Sequence, residues 1–227
     1  MKYTKSASIF LVCTCAAMMT SASAIAKPPA QVPAAGASTA TQGEATRAVL
    51  NATSQVLTTL QQRRAQFQAN PAELRSYVDS QLDHLFDKTY AARLVLGVHA
   101  RSASPEDVSK FADALANSLM QRYGSALLNF DGKPSFRARS ETPLPNNLGV
   151  RVSTELLRAG SDPTPVDYFV HKVDGTWKVF DVMIEGISYV QTFRDQFDTP
   201  LRQQGLKKVI ADLQSGKPIG GGANTGN

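Results

Sequence analysis

At Pro134 the spacing of apolar residues changes, and that change fixes the class of fold. Before it they recur at helical spacing. After it they alternate, with a period of two. From Glu44 to Phe67 the apolar positions Val49, Leu50, Val56, Leu57 and Leu60 predict one long helix. Asn70-Pro71 supplies an N-cap followed by proline at the first helical position. Leu74, Tyr77, Val78, Leu82, Leu85 and Phe86 then continue at helical spacing. A third helical segment is expected over 87–98. Ser104-Pro105-Glu106-Asp107 opens a fourth: a serine cap, a proline in the first turn, and acids where the helix dipole favours them. Its stripe is Val108, Phe111, Leu115, Leu119 and Tyr123, with Gly124 as a weak point. The helix is expected to reach Phe130 and to end at Asp131-Gly132.

Beyond Pro134, Phe136, Ala138 and Ser140 alternate with Arg137, Arg139 and Glu141. Val150 to Leu157 forms a second alternating run, and residues 166–173 a third. Asp174-Gly175 marks a tight hairpin into a last strand over 176–184. Strands at this spacing form an antiparallel meander. Helices first and strands afterwards predict an α+β domain, with N-terminal helices packed on a four-stranded antiparallel sheet. C-terminal helices are expected over 188–197 and 200–213. The last strand is apolar on both faces, whereas a sheet covered on one side alternates. Helices or a bound apolar ligand must cover its second face.

The ends read differently. Residues 1–26 run from a basic start through an apolar stretch to small residues, the order of an export signal, with cleavage after Ala24 or Ala26. The apolar stretch is too short to span a bilayer. Residues 27–42 are Pro, Ala, Gly, Ser and Thr without periodicity and read as a disordered linker. Residues 43–215 are the expected folded domain, and residues 216–227 a mobile, glycine-rich tail.

The 227 residues carry 24 Lys plus Arg, 19 Asp plus Glu, 3 His and 2 Cys. The signal segment contains Lys2, Lys5 and both cysteines. The remaining chain therefore has 22 basic and 19 acidic side chains, a net +3, and no Cys. That excludes a disulfide framework, a cysteine zinc site and a cysteine nucleophile. The excess charge is too small to imply nucleic acid, and no long apolar run suggests a membrane span.

Catalytic signatures do not appear. His84, His99 and His171 have no partner at metal-ligand spacing, and no G-x-S-x-G, S-x-x-K or phosphate loop occurs. Asp79 and Asp83 lie one helical turn apart, and Asp195 and Asp198 are also close; helix-surface carboxylates of this kind are common. Asp181 and Glu185 flank the last strand. Asp181 is placed to pair with a base across the sheet such as Arg151, and burial would be needed to make either acid a catalyst. Two rivals to a binding role follow: an envelope adaptor that holds no ligand, and a small hydrolase or isomerase using Asp181 or Glu185. An adaptor predicts an interior already filled with side chains.

Two stretches carry a family resemblance. One is Tyr90-Ala-Ala-Arg-Leu-Val-Leu-Gly97, continuing through Arg101-Ser-Ala-Ser-Pro105 and the Phe111 to Tyr123 stripe. The other is Trp177-Lys-Val-Phe-Asp-Val-Met-Ile-Glu-Gly-Ile-Ser188, continuing to Phe197. Together they resemble the MlaC family, also called the toluene-tolerance auxiliary family, over about residues 43–213. The resemblance implies a monomeric, non-enzymatic periplasmic phospholipid carrier. It would hold acyl chains in an apolar pocket between helices and a twisted antiparallel sheet. It would shuttle lipid between an outer-membrane lipoprotein complex and an inner-membrane ABC transporter with its MCE-domain subunit, and so maintain outer-membrane lipid asymmetry. No cofactor is implied; the phospholipid is cargo. The candidate pocket residues are Tyr90, Leu94, Val98, Phe111, Leu115, Leu119 and Tyr123 on helices, and Val152, Phe169, Phe180, Val182 and Ile184 on the sheet. An apolar stripe serves core and pocket alike, so about half of these are expected to touch lipid. Trp177 is expected to anchor the core on the other face.

Overall fold

The computed structural model describes residues 43–129 and 132–217. The expected signal segment, the linker, the helix end at Phe130 and Asp131, and the tail beyond residue 217 lie outside the described residues. Seven helices and five strands follow in the expected order among the described residues. They are α1 (Glu44–Gln62), α2 (Arg64–Ala69), α3 (Pro71–Leu85), α4 (Lys88–Leu96), α5 (Pro105–Tyr123), β1 (Ser135–Pro143), β2 (Val150–Leu157), β3 (Thr164–Val173), β4 (Thr176–Ile184), β5 (Ile187–Ser188), α6 (Tyr189–Gln204) and α7 (Leu206–Gln214).

Local chemistry accounts for several boundaries. The Ser104 hydroxyl accepts the Asp107 amide at 3.0 Å, with Pro105 beginning α5. The Asp87 carboxylate accepts the Tyr90 amide at 2.9 Å and caps α4. Gly43, ahead of α1, offers no side-chain cap. Glu141 replaces it from β1: its carboxylate accepts the Thr46 amide at 2.8 Å and the Thr46 hydroxyl at 2.7 Å. An anion at a helix N-terminus is favoured by the orphan amides and by the dipole.

Three helix expectations are corrected. The first helix is not continuous to Phe67; it breaks at Arg63, where ψ is 14°, and restarts as α2. The break lets Phe67, 1% exposed, stack on Tyr77 at 5.5 Å. At the other end, Pro200 does not begin a new helix. The helix α6 runs through it, and the interruption falls at Gly205, where φ is +76°. Burial of Phe197 and Leu201, 2% and 4% exposed, on either side of the proline outweighs the lost hydrogen bond. Nor does α5 continue to Phe130: it ends at Tyr123, and from Gly124, the weak point, a 3₁₀ turn carries the chain to Leu128.

The sheet is antiparallel in the order β1-β2-β3-β4-β5, with five strands where four were expected. Asp174 and Gly175 both have positive φ, 49° and 77°, the conformation that a two-residue hairpin matching strand twist requires. Glu185 and Gly186 repeat it, at 52° and 82°, and turn β4 back into the short β5. Val170 pairs with Val179 and Phe169 with Asp181, so Phe180 is an extra, bulged residue on β4.

Three apolar clusters form the core. The largest joins α4, α5, α6 and α7, around Leu96, Val108, Phe111, Phe197 and Ile210. A second lies under α1 and comprises Ala45, Val49, Val152 and Val170. A third gathers Leu60, Phe67, Leu74 and Leu128. The helices do not close completely over the sheet between these clusters, and the site lies there.

Candidate functional site

Helix α3 ends where Phe86 leaves it in extended conformation, with φ −110° and ψ 143°. Phe86 forms a parallel bridge with Val179, and the Asp87 amide donates to the Val179 carbonyl at 2.9 Å. The helical half is thereby tied to β4 beside its bulge. Lys178 adds a second tie: its ammonium donates to the backbone carbonyls of Asp83 and His84 at the end of α3.

Two cavities of about 420 Å³ each flank this tie. The first lies between α1, α3 and the sheet. Val49, Val56 and Leu60 line it from α1, with Tyr168, Val170, Trp177 and Val179 opposite. The second lies between α4, α5, α6 and β4. Its walls are Val95, Leu115, Leu119, Phe180, Val182, Ile184 and Phe193, with Tyr123 and Tyr189 also lining it. Val78, Leu82, Phe86 and Leu127 line both cavities and form their common wall. Each volume lies in the usual range for small-molecule pockets. The bulge at Phe180 explains how one strand lines both: Val179 turns into the first and Phe180 into the second.

The candidate residues separate into three groups. Leu115, Leu119, Tyr123, Phe180, Val182 and Ile184 all line the second cavity. Tyr90 and Phe169 stand behind its wall, with rings 5.2 and 6.3 Å from Phe180. The other four sit elsewhere. Phe111 is fully buried against Phe197 at 5.2 Å, because the α5 stripe turns from the α6 face to the cavity only after that point. Val152 is fully buried beneath α1. Leu94 faces a polar groove that it shares with Arg93, His99 and Arg194. Val98 lies beyond the end of α4, on its own 3₁₀ turn, and is 64% exposed.

Sequence reasoning missed the common wall. Val78, Leu82 and Phe86 were visible as a helical stripe, but nothing in a stripe says whether it meets side chains or space. Trp177 lines the first cavity and packs beside the Val170 cluster. The expected pairing of Asp181 with Arg151 does not form. Asp181 instead accepts the Ser188 hydroxyl at 2.6 Å and the Val190 amide at 3.0 Å, and Ser188 in turn accepts the Gln191 amide at 3.0 Å. Asp181 therefore caps α6. Arg151 keeps a buried Nε without a hydrogen-bond partner among the described residues. Glu185 is an exposed turn residue.

The second cavity is the more apolar of the two; Asn51, Gln55, Gln81 and His84 also line the first. Burial pushes the Tyr168 phenol far above its ordinary pKa, so it stays neutral. Lys88 is the one lysine lining the second cavity among the described residues. Burial opposes its charge, but hydrogen bonds to Asp83 and Asp113 outweigh that and hold its pKa above the ordinary lysine value. His171 lies behind the wall, 3.0 Å from Asp87 and 5.0 Å from the Phe180 ring. No group of three or more His, Cys, Asp or Glu side chains suited to a metal occurs among the described residues. No helix among them is long and apolar enough to cross a membrane.

This arrangement can enclose extended apolar groups, and the Ser188–Asp181 hydrogen bond at its edge serves the start of α6. Known proteins are similar in both sequence and fold. Over 167 residues the chain is 29% identical to the toluene tolerance protein ttg2D of Pseudomonas putida, covering 71% of this chain and 76% of that protein. It is 25% identical over 158 residues to the intermembrane phospholipid transport system binding protein MlaC of Haemophilus influenzae, covering 68% and 73%. A solved phospholipid-binding protein from Ralstonia solanacearum, in complex with a phospholipid, has the same fold. Its TM-score is 0.67 at 22% identity, covering 77% of this chain and 97% of that one. The family model described as MlaC protein matches residues 50–215, and the chain belongs to the MlaC family.

Proposed function

We propose that the chain is a periplasmic phospholipid carrier that holds acyl chains in the paired cavities. Membership of the MlaC family makes it a binding protein and not an enzyme. The observation that carries the reading is the open apolar space on both sides of Val78, Leu82, Phe86 and Leu127. An adaptor would fill that space with side chains. Burying a CH₂ group is worth about 0.8 kcal/mol, so two long acyl chains represent roughly 20 kcal/mol of gross cost in water. A carrier removes that cost with a dry cavity and needs no cofactor. The names of the relatives favour the same cargo: one belongs to an intermembrane phospholipid transport system, and the Ralstonia protein was solved with a phospholipid.

In this proposal Leu115, Leu119, Tyr123, Phe180, Val182 and Ile184 contact the tails. Tyr90 and Phe169 hold Phe180 in place. Residues 1–26 direct export and are removed, residues 27–42 are a linker, residues 43–215 bind lipid, and residues 216–227 are a tail. The carrier works as a monomer. It moves lipid between an outer-membrane lipoprotein complex and an inner-membrane ABC transporter with an MCE-domain subunit, and so maintains outer-membrane lipid asymmetry.

The test is mass spectrometry of the purified protein, native and then after solvent extraction. The expected result is a stoichiometric phospholipid mass that extraction removes. Val182→Asp puts a charge into the cavity at a half-buried strand position, and is expected to keep the fold and lose the lipid. A protein that is empty as purified and takes up none from vesicles overturns the proposal.

A further inference from the structure

Lys88, Asp83 and Asp113 form an ion cluster at the edge of the second cavity. The Lys88 ammonium lies 2.6 Å from Asp83 Oδ1 and 3.0 Å from Asp113 Oδ1. The lysine side chain lines the cavity and is 29% exposed, whereas the two aspartate side chains are 64% and 55% exposed. Leu82 and Ala112, each next to one of the aspartates in sequence, also line the cavity. The cluster therefore stands where apolar wall meets water. A lipid with its tails in the cavity can leave its head at such an edge.

The donor and acceptor inventory is specific. A lysine ammonium has three N–H donors, and the aspartates occupy two. One remains for an oxygen anion. Each aspartate has a second carboxylate oxygen, and among the described residues neither has another partner. The cluster carries one positive and two negative charges. It thus offers a single cationic donor between two anionic acceptors, with a net charge of −1.

From this geometry we infer that the Lys88–Asp83–Asp113 cluster selects a zwitterionic head group bearing a primary amine. The head-group phosphate takes the free Lys88 donor. The ammonium, a short linker away, donates to the free oxygens of Asp83 and Asp113. A purely anionic glycerol head group satisfies the lysine but meets two like charges with no cation to offset them. A quaternary choline balances the charge but has no N–H to donate. Ethanolamine is therefore preferred over both. The inference rests on the carrier reading and adds a head-group preference to it.

The experiment is exchange of lipid from vesicles into the purified protein. The vesicles contain phosphatidylethanolamine and phosphatidylglycerol in equal amounts, with identical deuterated acyl chains. The re-isolated protein is extracted and the deuterated lipids are weighed by mass spectrometry. One or two partly exposed ion pairs give an ethanolamine enrichment of about two- to fivefold. Asp83→Asn with Asp113→Asn removes the enrichment or reverses it. Both positions are exposed, so the fold is retained, and a thermal melt checks this. Lys88→Gln lowers uptake of both lipids, because the phosphate is common to them. Equal capture of the two lipids by the unaltered protein overturns the inference while the carrier reading stands. So does an enrichment that the double variant retains. A protein that holds no lipid before or after exchange overturns both.

Discussion

Asp181 offers the sharpest separation between a structural and a catalytic carboxylate. It lines the second cavity, yet both of its oxygens are committed to the start of α6, through the Ser188 hydroxyl and the Val190 amide. Hydrogen bonds to a charged acceptor contribute about 1.5–3 kcal/mol each, and Asp181 is half-buried, which places them at the lower end. Asp181→Ala removes both and leaves the Val190 amide without its acceptor. The expected cost is about 3 kcal/mol. For a folded region of this size that lowers Tm by about 6–12 °C. Asp181→Asn keeps one oxygen and loses the charge, and is expected to cost about half as much. Urea unfolding of the three proteins measures both differences, and lipid per folded molecule is read in parallel. An alanine variant that costs less than about 0.5 kcal/mol refutes the capping argument. An asparagine variant of normal stability that has lost a turnover shown by the parent refutes the binding-protein reading.

Two further predictions concern residues away from the cavities. Phe111→Ala, at a fully buried ring packed on Phe197, is expected to cost about 3–5 kcal/mol while lipid per folded molecule stays the same. A fall in lipid per folded molecule would return Phe111 to the cavity wall. In acid, hydrogen bonding from Arg137 holds Glu155 below the ordinary carboxylate range, and hydrogen bonds from Lys208 and Lys217 do the same for Asp212. A lowered pKa stabilises the folded state above the unfolded value, about 4, and that contribution disappears as pH falls through the lower folded value. Urea midpoints between pH 6 and pH 2.5 are therefore expected to decline below about pH 4, and less steeply in high salt. A midpoint that rises through this window contradicts the pairing.

The parts legible in the sequence are those set by neighbours along the chain. The Ser104-Pro105 start of α5, the Asp174-Gly175 hairpin and the change of period at Pro134 each depend on residues within a few positions of one another. Strand β5 was not legible, because two residues carry no periodicity and Glu185-Gly186 is a weaker turn signal than Asp174-Gly175. Pro200 misled because its penalty is local, whereas the burial that overrides it is tertiary. The Glu141 cap on α1 joins residues 95 positions apart, and no reading of either stretch alone reveals it. The cavities were legible only in half. The residues of α5 and β4 that line the second one stand on visible stripes, but the wall supplied by α3 resembles any other core stripe. Empty space leaves no mark on the residues around it.

The bridge between Phe86 and Val179 bears on how such a protein changes over time. Both cavities take their depth from the place where α3 stops, and a backbone pairing with β4 sets that place. The frame is thus separate from the lining. Trimming Val78, Leu82 or Leu127 enlarges either chamber without moving the strand beneath it, and enlarging them shrinks it. A mould of fixed outline with replaceable walls can be resized for longer, shorter or more numerous chains one substitution at a time, with no step that dismantles the fold.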